Sequence, residues 1–126
     1  MGEPELLEML ATETDRRAPT IAEGVRKLAG SSDPDVTAIE EIRVEVHGLK
    51  GAAGVVGQTR LAELALAIEV VLVQRIGPGL IPSEIADPIV AGVDALQAGA
   101  RAAASGDPEP ASVAESISAL KSLADA

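Results

Sequence analysis

The chain has 126 residues, near the usual size of one domain, and carries 20 acidic against 10 basic side chains, a formal charge of −10. A surface so acidic repels nucleic-acid phosphates and anionic lipid headgroups, and the absence of cysteine excludes a disulfide framework, thiolate catalysis and zinc sites built on sulfur. No segment has the ~18 uninterrupted apolar residues of a membrane span, and Glu3 and Glu5 stand where a signal peptide needs positive charge, so we expect a cytoplasmic protein.

The first predicted helix runs from about Pro4 to Leu28. Because proline removes a hydrogen-bond donor and clashes with the preceding turn, Pro19 predicts a kink or a division into two shorter helices. The connector that follows is rich in turn formers, and either Asp33 or Asp35 could cap the next helix. Apolar or small residues recur three and four apart along the first helix, at Leu7, Leu10, Thr14, Ala18, Ile21, Val25 and Leu28.

The second predicted helix extends to about Gly54, and the third should end near Arg75. Gly57 breaks the pattern between them, and Thr59 is a plausible cap for the third helix. The segment 77–79, Gly-Pro-Gly, cannot be helix interior. A core stripe spaced 3, 4, 3, 4, 3 is typical of a helix packed in a bundle, and in the second helix it consists of Ile39, Ile42, Val46, Leu49, Ala53 and Val56.

A fourth helix begins either at Ser83 or, if Asp87 caps it, at Pro88. Residues 106–110 are polar, include two prolines and predict a linker. The last segment is amphipathic and could pack on the bundle, bridge to another domain or form a dimer contact. The sequence therefore predicts an all-α protein with a bundle over residues 1–105, a linker over 106–110 and a C-terminal amphipathic helix over 111–126.

The sole histidine lies on a second stripe of the second helix. Arg43, His47, Lys50 and Gly54 are spaced 4, 3 and 4 residues apart, beside the core stripe, so His47 should stand at the boundary of the core. Lys50 is one turn away, near enough for its ammonium to approach a group attached to the imidazole. A glycine inside a helix lowers helix stability by roughly 1 kcal/mol relative to alanine, so we expect Gly51 to have a use that offsets this cost. Its missing side chain would leave bare backbone that another protein can approach closely. One histidine is too few for a di-metal site in a bundle, and we expect no metal site.

Residues His47 to Gly57 begin His-Gly-Leu-Lys-Gly, continue with small residues and end in glycine. They resemble the signature of histidine phosphotransfer domains. The segment from Leu61 to Glu69 resembles the following helix in the N-terminal phosphotransfer domain of chemotaxis-type histidine kinases (CheA-like), and the likeness extends over roughly residues 6–104. Gly48 departs from the Thr or Ser that is common there, and Leu66 replaces a second histidine. The resemblance implies an antiparallel four-helix bundle with an additional C-terminal helix.

The resemblance also implies roles for individual residues. His47 would be phosphorylated, Lys50 would balance the phosphoryl charge, and Gly51 would clear space for the receiver domain of a response regulator. Glu69 would hydrogen-bond the other ring nitrogen, leaving Nε2 to attack. The simplest interpretation of Arg43 is a surface residue, although it could steer an acidic partner. The simplest interpretation of Gly54 is a helix-ending signal, although it lies beside the expected partner-binding surface.

The chain contains no nucleotide-binding loop, so ATP and Mg²⁺ are expected from partner domains, including the catalytic domain of a histidine kinase. The domain is then a phosphocarrier and not an enzyme on its own. Two alternatives remain open. The chain could be the N-terminal fragment of a CheA-like kinase, or a degenerate bundle kept only for docking or dimerisation, in which the lone histidine is a surface residue with no task.

Overall fold

The computed structural model describes residues 2–76 and 79–126, and within them the chain forms five α-helices and no strand. The all-α prediction is confirmed. The predicted break at Gly77 and Pro78 lies outside the described residues. The helices are α1 (Glu3–Ala29), α2 (Val36–Val55), α3 (Thr59–Gln74), α4 (Ser83–Ser105) and α5 (Ala111–Asp125).

Helices α1 to α4 form the bundle. Helix α1 contacts α2 and α4, and α3 completes the ring because it also contacts both. Short connectors between neighbouring helices make consecutive helices antiparallel. Aliphatic side chains form the hydrophobic core of the described residues, and its largest fully buried members include Ile21, Val46, Leu64, Ile68 and Ile89.

Asp35 is the residue that caps α2. Its carboxylate accepts a hydrogen bond from the backbone N–H of Ala38 at 3.0 Å. Its own backbone N–H donates to the carbonyl of Gly79 at 2.9 Å, which ties the start of α2 to the connector before α4. Gly79 has a φ of +90°, and a Cβ there would collide with the backbone of Asp35.

The predicted division of the first helix into two shorter helices at Pro19 is wrong, because α1 is one helix of 27 residues. The proline is exposed while Ala18 and Ile21 beside it are buried, so the apolar face continues through the site. Asp15, one turn earlier, holds α1 against α4 by accepting a hydrogen bond from Gln97 at 2.9 Å. Burial of one continuous face therefore outweighs the loss of one backbone hydrogen bond.

The predicted cap at Thr59 is wrong, whereas of the two starts predicted for the fourth helix the one at Ser83 is confirmed. The residue before α3 is Gln58, which makes no side-chain capping bond, and Thr59 is already helical. Helix α4 begins at Ser83, so Asp87 and Pro88 lie inside it. The reason at α4 is burial, since the segment before the proline contributes core side chains, Ile85 among them.

Helix α5 packs on the bundle in the groove between α3 and α4, which is the first of the three placements left open by the sequence. Val113 and Leu120 are fully buried. Two glycines of α4 make room for them: a Cβ at Gly92 would lie 3.0 Å from Leu120, and one at Gly99 would lie 3.1 Å from Val113.

Candidate functional site

His47 stands on the surface of α2 beside α3. Its neighbour Val46 is fully buried and Leu49 nearly so, which fixes the rotation of the helix. One position away from this buried stripe, the imidazole has 69% of its side-chain surface exposed. The ring is thus held at the rim of the core and open to an approaching molecule, as the stripe pattern predicted.

Glu69 of α3 brings His47 and Lys50 together. Its Oε2 lies 2.9 Å from Nδ1 of His47, and its Oε1 accepts a hydrogen bond from Nζ of Lys50 at 2.9 Å. The carboxylate is only 17% exposed, so it is partly withdrawn from water. Three of the six predicted site residues therefore form one cluster across two helices.

The charge of Glu69 decides the tautomer of His47. Burial raises the pKa of this carboxyl, but the hydrogen bonds from Lys50 and His47 and the attraction of their charges together outweigh burial and hold the pKa below its ordinary value. An ionised carboxylate only accepts hydrogen bonds, so Nδ1 must donate. In the neutral ring Nε2 then carries the free lone pair, and this is the nitrogen that can act as a nucleophile.

Gly51 and Gly54 leave an open surface next to the ring. A Cβ added at either position would meet no atom within 4 Å, and both residues are exposed. The protein's own packing therefore does not require a glycine at either site. Open backbone at i+4 from His47 is available to a partner.

Arg43 lies one turn before His47 on the same stripe but makes no hydrogen bond to the Glu69 cluster within the described part of the chain. Its Nη1 bonds Oε2 of Glu40 at 2.9 Å. Its Nε is buried, and no acceptor is found for it among the described residues. Arg43 is therefore a half-exposed cation with a spare donor.

Arg17 is a neighbour of the site that the sequence did not reveal. Its guanidinium bonds Glu13 on its own helix and Glu45 on α2 at 3.1 Å. A Cβ at Gly48 would lie 2.5 Å from Nη1 of Arg17. Gly48 thus accommodates a side chain from α1. Residues 31 positions apart carry no local pattern that could have predicted this contact.

Both helices that form the site carry large exposed apolar side chains. Val44 and Val55 of α2 are 59% and 86% exposed, and Leu66 and Val73 of α3 are 45% and 56% exposed. Large apolar residues exposed on adjoining helix faces indicate an interaction surface. The seven-residue spacing of Leu66 and Val73 could have revealed the α3 part from sequence.

The geometry offers one kind of chemistry. A nucleophilic ring nitrogen is exposed, the other nitrogen is held by an anion, and a cation is one turn away, which suits transient attachment of an anionic group.

Within residues 2–76 and 79–126, no cluster of three or more His, Asp or Glu side chains could hold a metal ion. No helix in those ranges is both long and apolar enough to traverse a bilayer.

Comparison with known proteins agrees with this geometry. No curated protein matches the chain. The model of the Hpt domain family matches residues 5–99, a stretch that includes α1, α2, α3 and most of α4. Because this match covers well over half of the sequence, the chain belongs to the Hpt domain family, whose members are histidine phosphotransfer modules of phosphorelays.

Proposed function

We propose that this domain accepts a phosphoryl group on Nε2 of His47 and passes it to the receiver aspartate of a response regulator. The observation that carries the proposal is the 2.9 Å contact between Glu69 and Nδ1 of a ring that is otherwise exposed. That contact orients the ring, fixes its tautomer and frees Nε2. Lys50, bonded to the same carboxylate, supplies a positive charge at the place where negative charge arrives.

The covalent step is an in-line displacement at phosphorus. The Nε2 lone pair attacks the γ-phosphorus of ATP held by a kinase domain, or the acyl phosphate of a receiver aspartate. The P–N bond forms as the P–O bond breaks, and ADP or the aspartate carboxylate leaves with the electron pair. The Nδ1 proton stays in its hydrogen bond, so Glu69 stabilises the positive charge that develops on the ring. Onward transfer is the reverse displacement, with Mg²⁺ supplied by the receiver.

The partner-binding surface is centred on Gly51 and Gly54. Their open backbone lets a receiver active site approach His47, and Val44, Val55, Leu66 and Val73 surround that approach with exposed apolar surface. Arg43 adds positive charge to this face of a chain that is otherwise strongly acidic, which favours an acidic partner.

The phosphodonor that we propose is the catalytic domain of a chemotaxis-type histidine kinase, supported by the likeness of the segment from Leu61 to Glu69 to that group. Residues 1–105 would form the transfer module, 106–110 a linker and 111–126 a supporting helix. The buried side chains of α5 support the last assignment, because they complete the packing of α3 and α4.

The test uses phosphoramidate, a small phosphodonor that needs no kinase. Nε2 displaces ammonia from its phosphorus, so the wild-type chain should gain one phosphoryl group that is labile in acid and stable in alkali. His47→Gln should gain none while keeping the helical circular dichroism spectrum. Loaded protein should then lose its phosphoryl group to a receiver domain encoded near its gene. Equal labelling of the two proteins, or labelling of neither, would contradict the proposal.

A further inference from the structure

Charge at the site changes sharply when His47 is phosphorylated. Before phosphorylation, Lys50 and Glu69 form a neutral pair. A phosphoryl group adds about two negative charges at neutral pH. If Lys50 moved wholly to the new group, Glu69, whose side chain is only 17% exposed, would keep only its hydrogen bond with Nδ1 of His47. A second cation at the phosphoryl group would leave the bond between Lys50 and Glu69 in place.

The direction of side chains on α2 points to where that cation stands. Side chains on a helix lean toward its N-terminus, so the imidazole of His47 leans over the preceding turn, which carries Arg43. Lys50 leans back toward His47 from the following turn. Arg43 in turn leans toward Glu40, so it reaches a phosphoryl group on Nε2 only by turning back toward His47. Of the two basic residues that precede and follow His47 on this stripe, only Lys50 is bonded to Glu69.

Arg43 is free to change its partner. Within the described residues its ion pair is with Glu40, whose side chain is 59% exposed, and an ion pair so exposed to water adds little stability. Its Nε is buried and has no acceptor within the described residues, so the guanidinium gives up no hydrogen bond at this atom when it turns to another partner. Arginine binds phosphoryl oxygens through paired N–H groups, and these charge-assisted bonds are stronger than an exposed pair with glutamate.

Resting on the proposed function, we infer that Arg43 leaves Glu40 when His47 is phosphorylated and binds the phosphoryl oxygens directly. Arg43 then acts in the phosphorylated protein itself, beyond any part in attracting a receiver. It stabilises the dianionic phosphoryl group, while Lys50 remains shared with Glu69. Glu40 holds the guanidinium in the unphosphorylated state and competes with the phosphoryl group for it.

The test compares isolated phosphoproteins, so that docking cannot contribute. Wild type, Arg43→Gln, Glu40→Gln and Arg26→Gln are loaded with phosphoramidate, and the ³¹P signal is followed against pH and time. Arg26→Gln removes the same charge from an exposed position at the end of α1. Loss of a bound cation disfavours the dianion, so in Arg43→Gln the ³¹P titration midpoint should rise. The phosphoryl half-life should fall about threefold, since one charge-assisted bond is lost.

Glu40→Gln should move the midpoint the other way, because it removes the competing carboxylate. Arg26→Gln should behave as wild type. If Arg43→Gln and wild type share midpoint and half-life, the inference is overturned while the proposed function stands. If Arg26→Gln shifts the midpoint as far as Arg43→Gln does, general charge explains the effect and the inference is again overturned. Failure of wild type to gain a ³¹P signal would overturn both.

Discussion

The Oε2 atom of Glu69 lies 2.9 Å from Nδ1 of His47, so a side chain of α3 sets the chemistry of a ring on α2. The two helices pack along their lengths, and the partly buried carboxylate lies where they meet. A bundle can thus prepare a nucleophile with one hydrogen bond between neighbouring helices.

Replacing Glu69 with glutamine should change the tautomer of His47. The neutral amide accepts a hydrogen bond less strongly than a carboxylate, so the preference for a proton on Nδ1 weakens. Imidazole ¹⁵N chemical shifts should show Nδ1–H in wild type and a mixture in the variant, and loading from phosphoramidate should slow on the order of tenfold. Glu63→Gln, on the same helix but paired with Lys121, is the control. Unchanged ¹⁵N shifts in Glu69→Gln would show that this carboxylate does not set the tautomer.

The same carboxylate should make stability depend on pH. Its pKa in the folded protein is held below the ordinary value of 4.5, so the unfolded chain binds this proton at higher pH than the folded one does. The ionised carboxylate of Glu69 stabilises the fold fully at pH values above 4.5, and this stabilisation is lost as the pH falls through the lower pKa of the folded protein. Below about pH 4.5, the free energy of unfolding should fall less steeply in Glu69→Gln than in wild type, as measured by urea titration. Equal slopes would contradict this account of the Glu69 cluster.

Gly51 should prove dispensable for folding and necessary for transfer. Alanine there meets no atom within 4 Å, so Gly51→Ala should raise the free energy of unfolding by up to about 1 kcal/mol through helix propensity. Gly51→Leu should load from phosphoramidate like wild type but pass the group to a receiver at least tenfold more slowly, since the side chain fills the approach. Gly99→Ala is the contrasting control, because its Cβ would lie 2.6 Å from Leu61 and should destabilise the bundle. If Gly51→Leu transferred the phosphoryl group to a receiver at the wild-type rate, Gly51 would have no role in docking.

Gly48 and Arg17 should be energetically coupled. Gly48→Ala forces the guanidinium off its place between α1 and α2 and so disturbs its pair with Glu45. Arg17→Ala alone loses the same pair, but alanine at 48 then has room and gains helix propensity. A double-mutant cycle on unfolding free energies should give a coupling of about 1 kcal/mol. Strict additivity would mean that the guanidinium does not restrict position 48.

The sequence predicted well whatever depends on local periodicity. The core stripe of α2 placed His47 at the rim of the bundle and Lys50 on the same side, and helix ends near Gly57 and Gly106 followed from glycines that adopt positive φ. It failed where packing between distant elements overrides local signals. Pro19 remains inside α1 because one apolar face is buried on both sides of it.

The contacts of Arg17 with Gly48, and of α5 with the glycines of α4, likewise join segments far apart in the chain. No local pattern encodes them. The resemblance supplied Glu69, because periodicity alone does not show that a carboxylate 22 residues away reaches Nδ1.

The central claim is that His47 reacts through Nε2 because Glu69 holds Nδ1. Its most direct test is to identify which ring nitrogen bears phosphorus, from couplings between ³¹P and the imidazole protons of the phosphoramidate-loaded protein. The account predicts a single species phosphorylated on Nε2 of His47. Phosphorus on Nδ1, or on any residue other than His47, would contradict it.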